Sequence, residues 1–217
     1  MPLRVALCVG LAIAYCAIAP ARALEFSLEG NGEDCAECNW IEAQGAIEPG
    51  DAKKLDDFIT ATATHTTNIR FLSPGGELHA ALELGAYLRE REFDTYVTDA
   101  DYVHPGAIGM VHATQQSACY SACVYAFAGG VHRHADNNSL GIHQFAVAGA
   151  PAPDTYDSAS AAVEISITKW LGTYVSEMGI DPHLVSMASD TSYDSPVRLL
   201  DAAELRALNL DNSGSWN

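Results

Sequence analysis

The stretch from Asn68 to Thr98 constrains the fold more than any other part of the chain. Asn68 to Ser73 reads as a short strand that stops on Pro74-Gly75-Gly76, residues that break regular structure and turn the chain. From Glu77 onward, Leu78, Ala81, Leu82, Leu84, Ala86 and Leu88 recur at helical spacing. That spacing predicts an amphipathic helix running to about Arg91. Thr95 to Thr98 reads as the next strand. A strand, a helix and a strand in this order place the two strands parallel, because a parallel pair needs a crossover connection. The class predicted is α/β.

The remaining segments fit that class. Trp40 to Ile47 alternates well enough for a strand, and Pro49-Gly50-Asp51 turns into a helix across Ala52 to Thr60. Tyr120 to Ala128 is small and apolar, as in a buried helix, and stops at Gly129-Gly130. Val131 to Phe145 has strand-like ends around an Asp136-Asn137-Asn138 turn. A long helix is expected from Ser158 to Met178, ending at Gly179, and a last one from Asp201 to Leu208 with Asp201 as its cap. His104 to Ser117 reads as an excursion and Ala148 to Pro153 as a flexible loop. Residues 24–38 are polar and rich in Gly, Asp and Glu, which predicts a loosely held lead-in to a single domain over 39–217.

The first 23 residues have the form of a secretory signal. Arg4 gives a positive start, Val5 to Ala19 is almost wholly apolar, and Ala21-Arg22-Ala23 offers small residues for cleavage. That run is short for a bilayer core of roughly 30 Å, and no later stretch is apolar enough to span a membrane. The expected location is periplasmic or secreted, with no membrane attachment after cleavage. The chain carries 11 Lys+Arg against 28 Asp+Glu, a formal charge of −17. Removing Arg4 and Arg22 with the signal takes this to −19. No basic cluster exceeds the Lys53-Lys54 pair, which excludes nucleic acid as a partner, since phosphate binding needs concentrated positive charge.

Signal removal also leaves four cysteines, Cys35, Cys38, Cys119 and Cys123. In an exported domain these suggest disulfides, whose pairing the sequence leaves open. Cys35 and Cys38 could form a local bridge or a redox pair. Cys119 and Cys123 lie one helical turn apart and bracket Ser121, so a bridge between them would stiffen that turn. No metal is expected: a second CxxC or an HxxxH is missing, His132, His134 and Asp136 alternate as on a solvated edge, and Asp99 to Asp101 lack an EF-hand's spacing. No cofactor is expected either. Without a GxxxxGK loop there is no ATP site, and without GxSxG no α/β-hydrolase elbow.

Three groups of residues in order suggest chemistry. Phe71-Leu72-Ser73-Pro74-Gly75-Gly76 precedes a helix, Ser121-Ala122-Cys123 leads to Ala128-Gly129, and Asn138-Ser139-Leu140-Gly141 leads to Ile142-His143-Gln144. Each alone has an ordinary reading as a turn, a packing residue or a core histidine. Together they resemble the proteolytic subunit of the Clp protease, ClpP, over roughly Trp40 to Asn212. The chain resembles exported Clp-like proteins of unassigned function more than ClpP itself. The resemblance implies a ClpP/crotonase-like fold of repeated β-β-α units. It implies Ser121 as nucleophile at a helix N-terminus and His143 as general base. It also implies an oxyanion hole from the N–H groups of Gly75 and Ala122, with Gly76 keeping the loop open. Asp190-Thr191-Ser192-Tyr193-Asp194 resembles the family's Asp-Thr-x-x-Asp segment, making Asp194 the third triad member and Asp190 the reserve.

The chain departs from ClpP at Tyr120, where a small residue is usual, at Phe145, which replaces a proline, and in the His104 to Gln116 excursion. The resemblance implies a serine peptidase acting on peptides or unfolded proteins, with self-association through the long helix near Ser158–Met178. An ATP-driven unfoldase does not fit an exported chain. Two other readings share the fold. One is a catalytically silent member that binds a peptide or protein partner in the same cleft. The other is a crotonase-like enzyme for acyl thioesters, which the scarcity of basic residues opposes.

Overall fold

Two sheets meet at Ser73, and that junction determines where the candidate site lies. The computed structural model describes residues 22–30, 39–99, 117–145, 158–192 and 194–215. The larger sheet contains β1 (Glu25–Gly30), β2 (Asn39–Gln44), β3 (Asn68–Leu72), β4 (Asp94–Val97) and β6 (Arg133–Ala135), in the order β1-β2-β3-β4-β6. Strand β1 is antiparallel to β2, and the other pairings are parallel. The smaller sheet contains β5 (Cys119–Tyr120), β7 (Leu140–Ile142) and β8 (Arg198–Leu199), in the order β5-β7-β8. Among the described residues six helices accompany them: α1 (Asp51–Thr62), α2 (Leu78–Glu90), α3 (Cys123–Ala128), α4 (Ser158–Glu177), α5 (His183–Ser189) and α6 (Ala202–Ala207). The chain is an α/β protein.

The expected strand–helix–strand unit is present as β3, α2 and β4, with Ile69 paired to Thr95. Glu77 caps α2, its carboxylate accepting the N–H groups of His79 at 3.0 Å and Ala80 at 2.6 Å. The apolar stripe Ala81, Leu84 and Leu88 is wholly buried against the core that contains Ile41, Ile69, Phe71 and Phe127. Asp201 caps α6 as expected and forms a capping box with Glu204.

Three segments differ from the sequence-based expectation. Glu25–Gly30, expected within a loose lead-in, is the edge strand β1. Its polar residues stay exposed, while backbone pairing with β2 and the buried anchor Leu24 hold it. Tyr120 to Ala128 is not one helix: Cys119–Tyr120 pairs as a strand, Ser121 and Ala122 turn, and only Cys123–Ala128 is helical. The two strands around Asp136-Asn137-Asn138 do not pair with each other. β6 lies against β4 in the larger sheet, whereas β7 lies against β5 in the smaller one. Asn138, at φ 64°, takes the left-handed conformation that carries the chain between sheets.

The signal region through residue 21, the rest of the lead-in (31–38), most of the excursion and the 148–153 loop lie outside the described residues. Among the described residues no helix is long and apolar enough to cross a membrane.

Candidate functional site

Ser73 continues β3 and bridges to β5: its N–H donates to Ala118 O at 2.8 Å, and its carbonyl accepts the Tyr120 N–H at 3.0 Å. On the far side of β5, Cys119 N–H donates to Ser139 O at 2.9 Å and Ser121 N–H to Gly141 O at 2.8 Å. Ser121 therefore sits where the Ser73 turn, β5 and β7 converge. Its φ of 55° is left-handed, uncommon for a residue with a Cβ. The turn delivers the chain directly into α3, whose first residue is Cys123.

The Ser73-Pro74-Gly75-Gly76 loop packs against this turn. A Cβ on Gly75 would lie 2.8 Å from Ser121 Cβ and 3.2 Å from Ala122 N, so only glycine permits the approach. A Cβ on Gly76 would fall 2.1 Å from Ile47 O. The Gly75 N–H, expected in the oxyanion hole, instead donates to the buried Ser73 hydroxyl at 3.1 Å. This is a local turn that a serine forms with the N–H two residues ahead. The N–H groups of Gly76 and Ala122 have no acceptor among the described residues. Of the two loop glycines, Gly75 is the one pressed against Ser121 and Ala122, and Gly76 is the one whose N–H keeps no acceptor among the described residues. Ser73 was legible as part of the Pro-Gly-Gly signature, but its bond to Gly75 needed the folded loop.

His143 follows β7, two residues after the carbonyl that receives the Ser121 N–H. Its Nδ1 lies 2.6 Å from Gln144 O. A carbonyl only accepts, so Nδ1 is the donor here, and in the neutral imidazole Nε2 is then the ring acceptor. Among the described residues no hydrogen bond joins His143 to Ser121 or to a carboxylate. Gln144 N–H donates to Thr191 O at 2.7 Å, bringing the segment that begins at Asp190 alongside. Asp190 is exposed at the C-terminus of α5. Asp194 is exposed as well, and its Oδ1 accepts from the Ser192 hydroxyl at 2.5 Å. The fold gathers Ser121, Ala122, Gly75 and Gly76 and sets His143 just past the end of the adjoining strand β7. It does not join Asp194 to His143.

Cys119 and Cys123 are disulfide-bonded, with Cα atoms 5.3 Å apart, which settles one pairing the sequence left open. Cys35 and Cys38 lie outside the described residues. Tyr120, between Cys119 and Ser121, packs its ring over Gly141: a Cβ there would meet Tyr120 Cδ1 at 2.8 Å and Val197 Cγ2 at 2.8 Å.

The histidines considered as metal ligands each face different acids. His132 Nδ1 lies 2.8 Å from Asp94 Oδ1, whereas His134 is 3.4 Å from Asp136 and 3.7 Å from Asp211. Among the described residues no three His, Cys, Asp or Glu side chains converge as a metal site. Asp99 accepts the Ser117 N–H at 2.5 Å, and Asp101 lies outside the described residues.

His134 carries a pH dependence of its own. The hydrogen bond to Asp136 raises its pKa, against desolvation and helped by Asp211. Burial pushes Asp136 up, but bonds from His134, the Asp99 N–H and Thr98 outweigh it and hold its carboxyl below the ordinary value. A raised histidine stabilises fully below its unfolded pKa of about 6.5 and loses that contribution as pH rises through the folded value. A lowered aspartate stabilises above about 3.9 and loses its contribution on acidification. The pair is therefore most stabilising between about pH 4 and 6.5. Thermal melts of wild type and His134→Gln should differ most near pH 5.5 and converge towards pH 8.5. A gap that widens with pH would contradict this assignment.

No protein-family model and no curated protein matches this chain.

Proposed function

We propose that the chain is an exported serine hydrolase of ClpP/crotonase-like fold, acting as a peptidase on peptides or unfolded chains. The observation that carries this reading is Ser121 itself: a left-handed serine between a strand and a helix, with the Gly75–Gly76 backbone pressed against it. Ser121 Oγ attacks the substrate carbonyl, and His143 Nε2 takes its proton and returns it to the leaving amine. The Gly76 and Ala122 N–H groups receive the developing oxyanion. Gln144 O holds the His143 tautomer that keeps Nε2 basic. Asp194, or Asp190 in reserve, is the carboxylate that would stabilise the imidazolium from the neighbouring loop. No ATP, metal or cofactor enters the scheme.

The buried Cys119–Cys123 disulfide supports a periplasmic or secreted location, because such bonds persist in oxidising compartments. Helix α4 exposes Ile165 and Trp170, which is compatible with self-association. A second reading, a silent member that binds a peptide or protein partner in the same cleft, draws on one observation. His143 bonds its own chain, and Asp194 bonds Ser192, so the triad is not assembled.

Fluorophosphonate labelling of the mature protein decides between them. Labelling of wild type that is lost in Ser121→Ala and in His143→Ala is the expected result. Folded wild-type protein that fails to label across the pH range sinks the hydrolase and favours the binder.

A further inference from the structure

We infer that the Cys119–Cys123 disulfide is a positioning clasp that holds Ser121 in its left-handed conformation, so that the site is competent only in the oxidised chain. The functional consequence rests on the reading of Ser121 as nucleophile; the conformational one does not. The bridge joins the first residue of β5 to the first residue of α3 and encloses Tyr120, Ser121 and Ala122. Both cysteines are fully buried.

The two sides of this turn are held by different bonds. Upstream, Tyr120 and Ser121 donate to Ser73 O and Gly141 O at 3.0 and 2.8 Å, which ties the turn to two other strands. Downstream, the Ser121 and Ala122 carbonyls accept only from α3 itself, from Val124 at 3.2 Å and Tyr125 at 3.0 Å, and α3 is six residues long with no side-chain cap from Ala122. A short uncapped helix has little intrinsic stability, and a non-glycine residue at positive φ disfavours the turn. The covalent link supplies the tie that a capping side chain would otherwise make. It also fixes where α3 starts, and with it the Ala122 N–H beside Ser121.

Formation of the clasp is a thiol–disulfide exchange. Cys119 and Cys123 together lose two protons and two electrons, and the disulfide of an oxidising partner is reduced to two thiols. A chain still holding both thiols in a reducing compartment would thus keep Ser121 unset until after export.

The test compares wild type with Cys119→Ala/Cys123→Ala by amide hydrogen exchange, read at Ser121 and at Leu84 in the middle of α2. Exchange at Ser121 should accelerate about tenfold or more while Leu84 is unchanged, the signature of local rather than global opening. Fluorophosphonate labelling should fall about 10²-fold, as when a reacting group is displaced by about 1 Å. If the double variant does not fold, wild type reduced with a phosphine gives the same comparison. Unchanged exchange at Ser121, or equal acceleration at Ser121 and Leu84, overturns the clasp, the latter because it marks a general staple. Faster exchange confined to Ser121 in a protein whose oxidised form never labels supports the clasp and sinks the hydrolase reading instead.

Discussion

Gly75→Ala is expected to lower fluorophosphonate labelling at Ser121 by about 10²–10³-fold, the effect of losing an oxyanion donor, in a protein that still folds. The added Cβ would lie 2.7 Å from Tyr120 O and 2.8 Å from Ser121 Cβ. The first of these is backbone and the second is tied to the backbone, so neither can swing aside. The loop and the Ser121 turn must separate, and the Gly75 backbone then no longer lies against Ser121 and the Ala122 N–H. Gly75 is also at φ 108°, where any side chain is strained. Gly50→Ala separates strain from crowding: Gly50 is at φ 96°, but its Cβ would meet nothing within 4 Å. That control should lose stability through strain alone and label at the wild-type rate. Wild-type labelling by folded Gly75→Ala would show that the close approach does not build the site.

Legibility of the fold followed the range over which each feature is encoded. The β3–α2–β4 unit and the Asp201 cap are written in consecutive residues, so periodicity and punctuation sufficed. Strand β1 was hidden because an edge strand keeps polar residues exposed, and β8 and α5 are too short to show a period. That β6 and β7 join different sheets depends on partners far away in the chain, which a local pattern does not record. Arg133 shows the same limit. Its type suggests surface, yet it is 2% exposed and donates to the carbonyls of Gly130, Met178 and Asn209. Arg89 reaches Ala128, Gly130 and Met178 likewise, so two guanidiniums satisfy carbonyls at the ends of α3 and α4.

The candidate site divides along the same line. Ser121, Ala122, Gly75 and Gly76 belong to two short signatures, each readable in sequence, and folding brings them into contact. Which of the two glycines keeps a free N–H followed from the Ser73 hydroxyl, a side-chain bond that no spacing announces. The pairing of Cys119 with Cys123 had competitors in sequence and is fixed by the fold. Asp194 rested on a short acidic pattern in a chain rich in acids, and its carboxylate faces Ser192.

The largest stability loss is expected from Gly129→Ala. Gly129 ends α3 at φ −64°, an ordinary helical value, so conformational freedom is not why glycine stands there. Space is the reason. A Cβ on Gly129 would lie 2.1 Å from Gly85 O and 2.6 Å from Gly85 Cα, backbone atoms in the middle of α2. Gly85 is confined in turn: its own Cβ would fall 2.0 Å from the Tyr174 hydroxyl, which donates to Tyr125 O at 2.8 Å. The two helices touch through their backbones, with α4 closing over them through Tyr174. Alanine at 129 therefore forces α2 and α3 apart, strains the Arg89 bonds to Ala128 O and Gly130 O, and opens the Tyr174 contact. Overpacking of this kind costs about 3 kcal/mol at its upper end, or about 6–12 °C in melting temperature for a chain of this size. Gly172→Ala gives the opposite sign. Gly172 lies in α4 with nothing within 4 Å of its added Cβ, so the substitution should stabilise by about 0.5–1 kcal/mol through helix propensity. Urea melts of both variants beside wild type check the pair. Because α3 begins immediately after the Ser121–Ala122 turn, labelling at Ser121 should fall in Gly129→Ala even under conditions where it remains folded. A Gly129→Ala melt that coincides with wild type would mean that α2 and α3 can part without loss, and that their backbone contact does not hold the serine's turn.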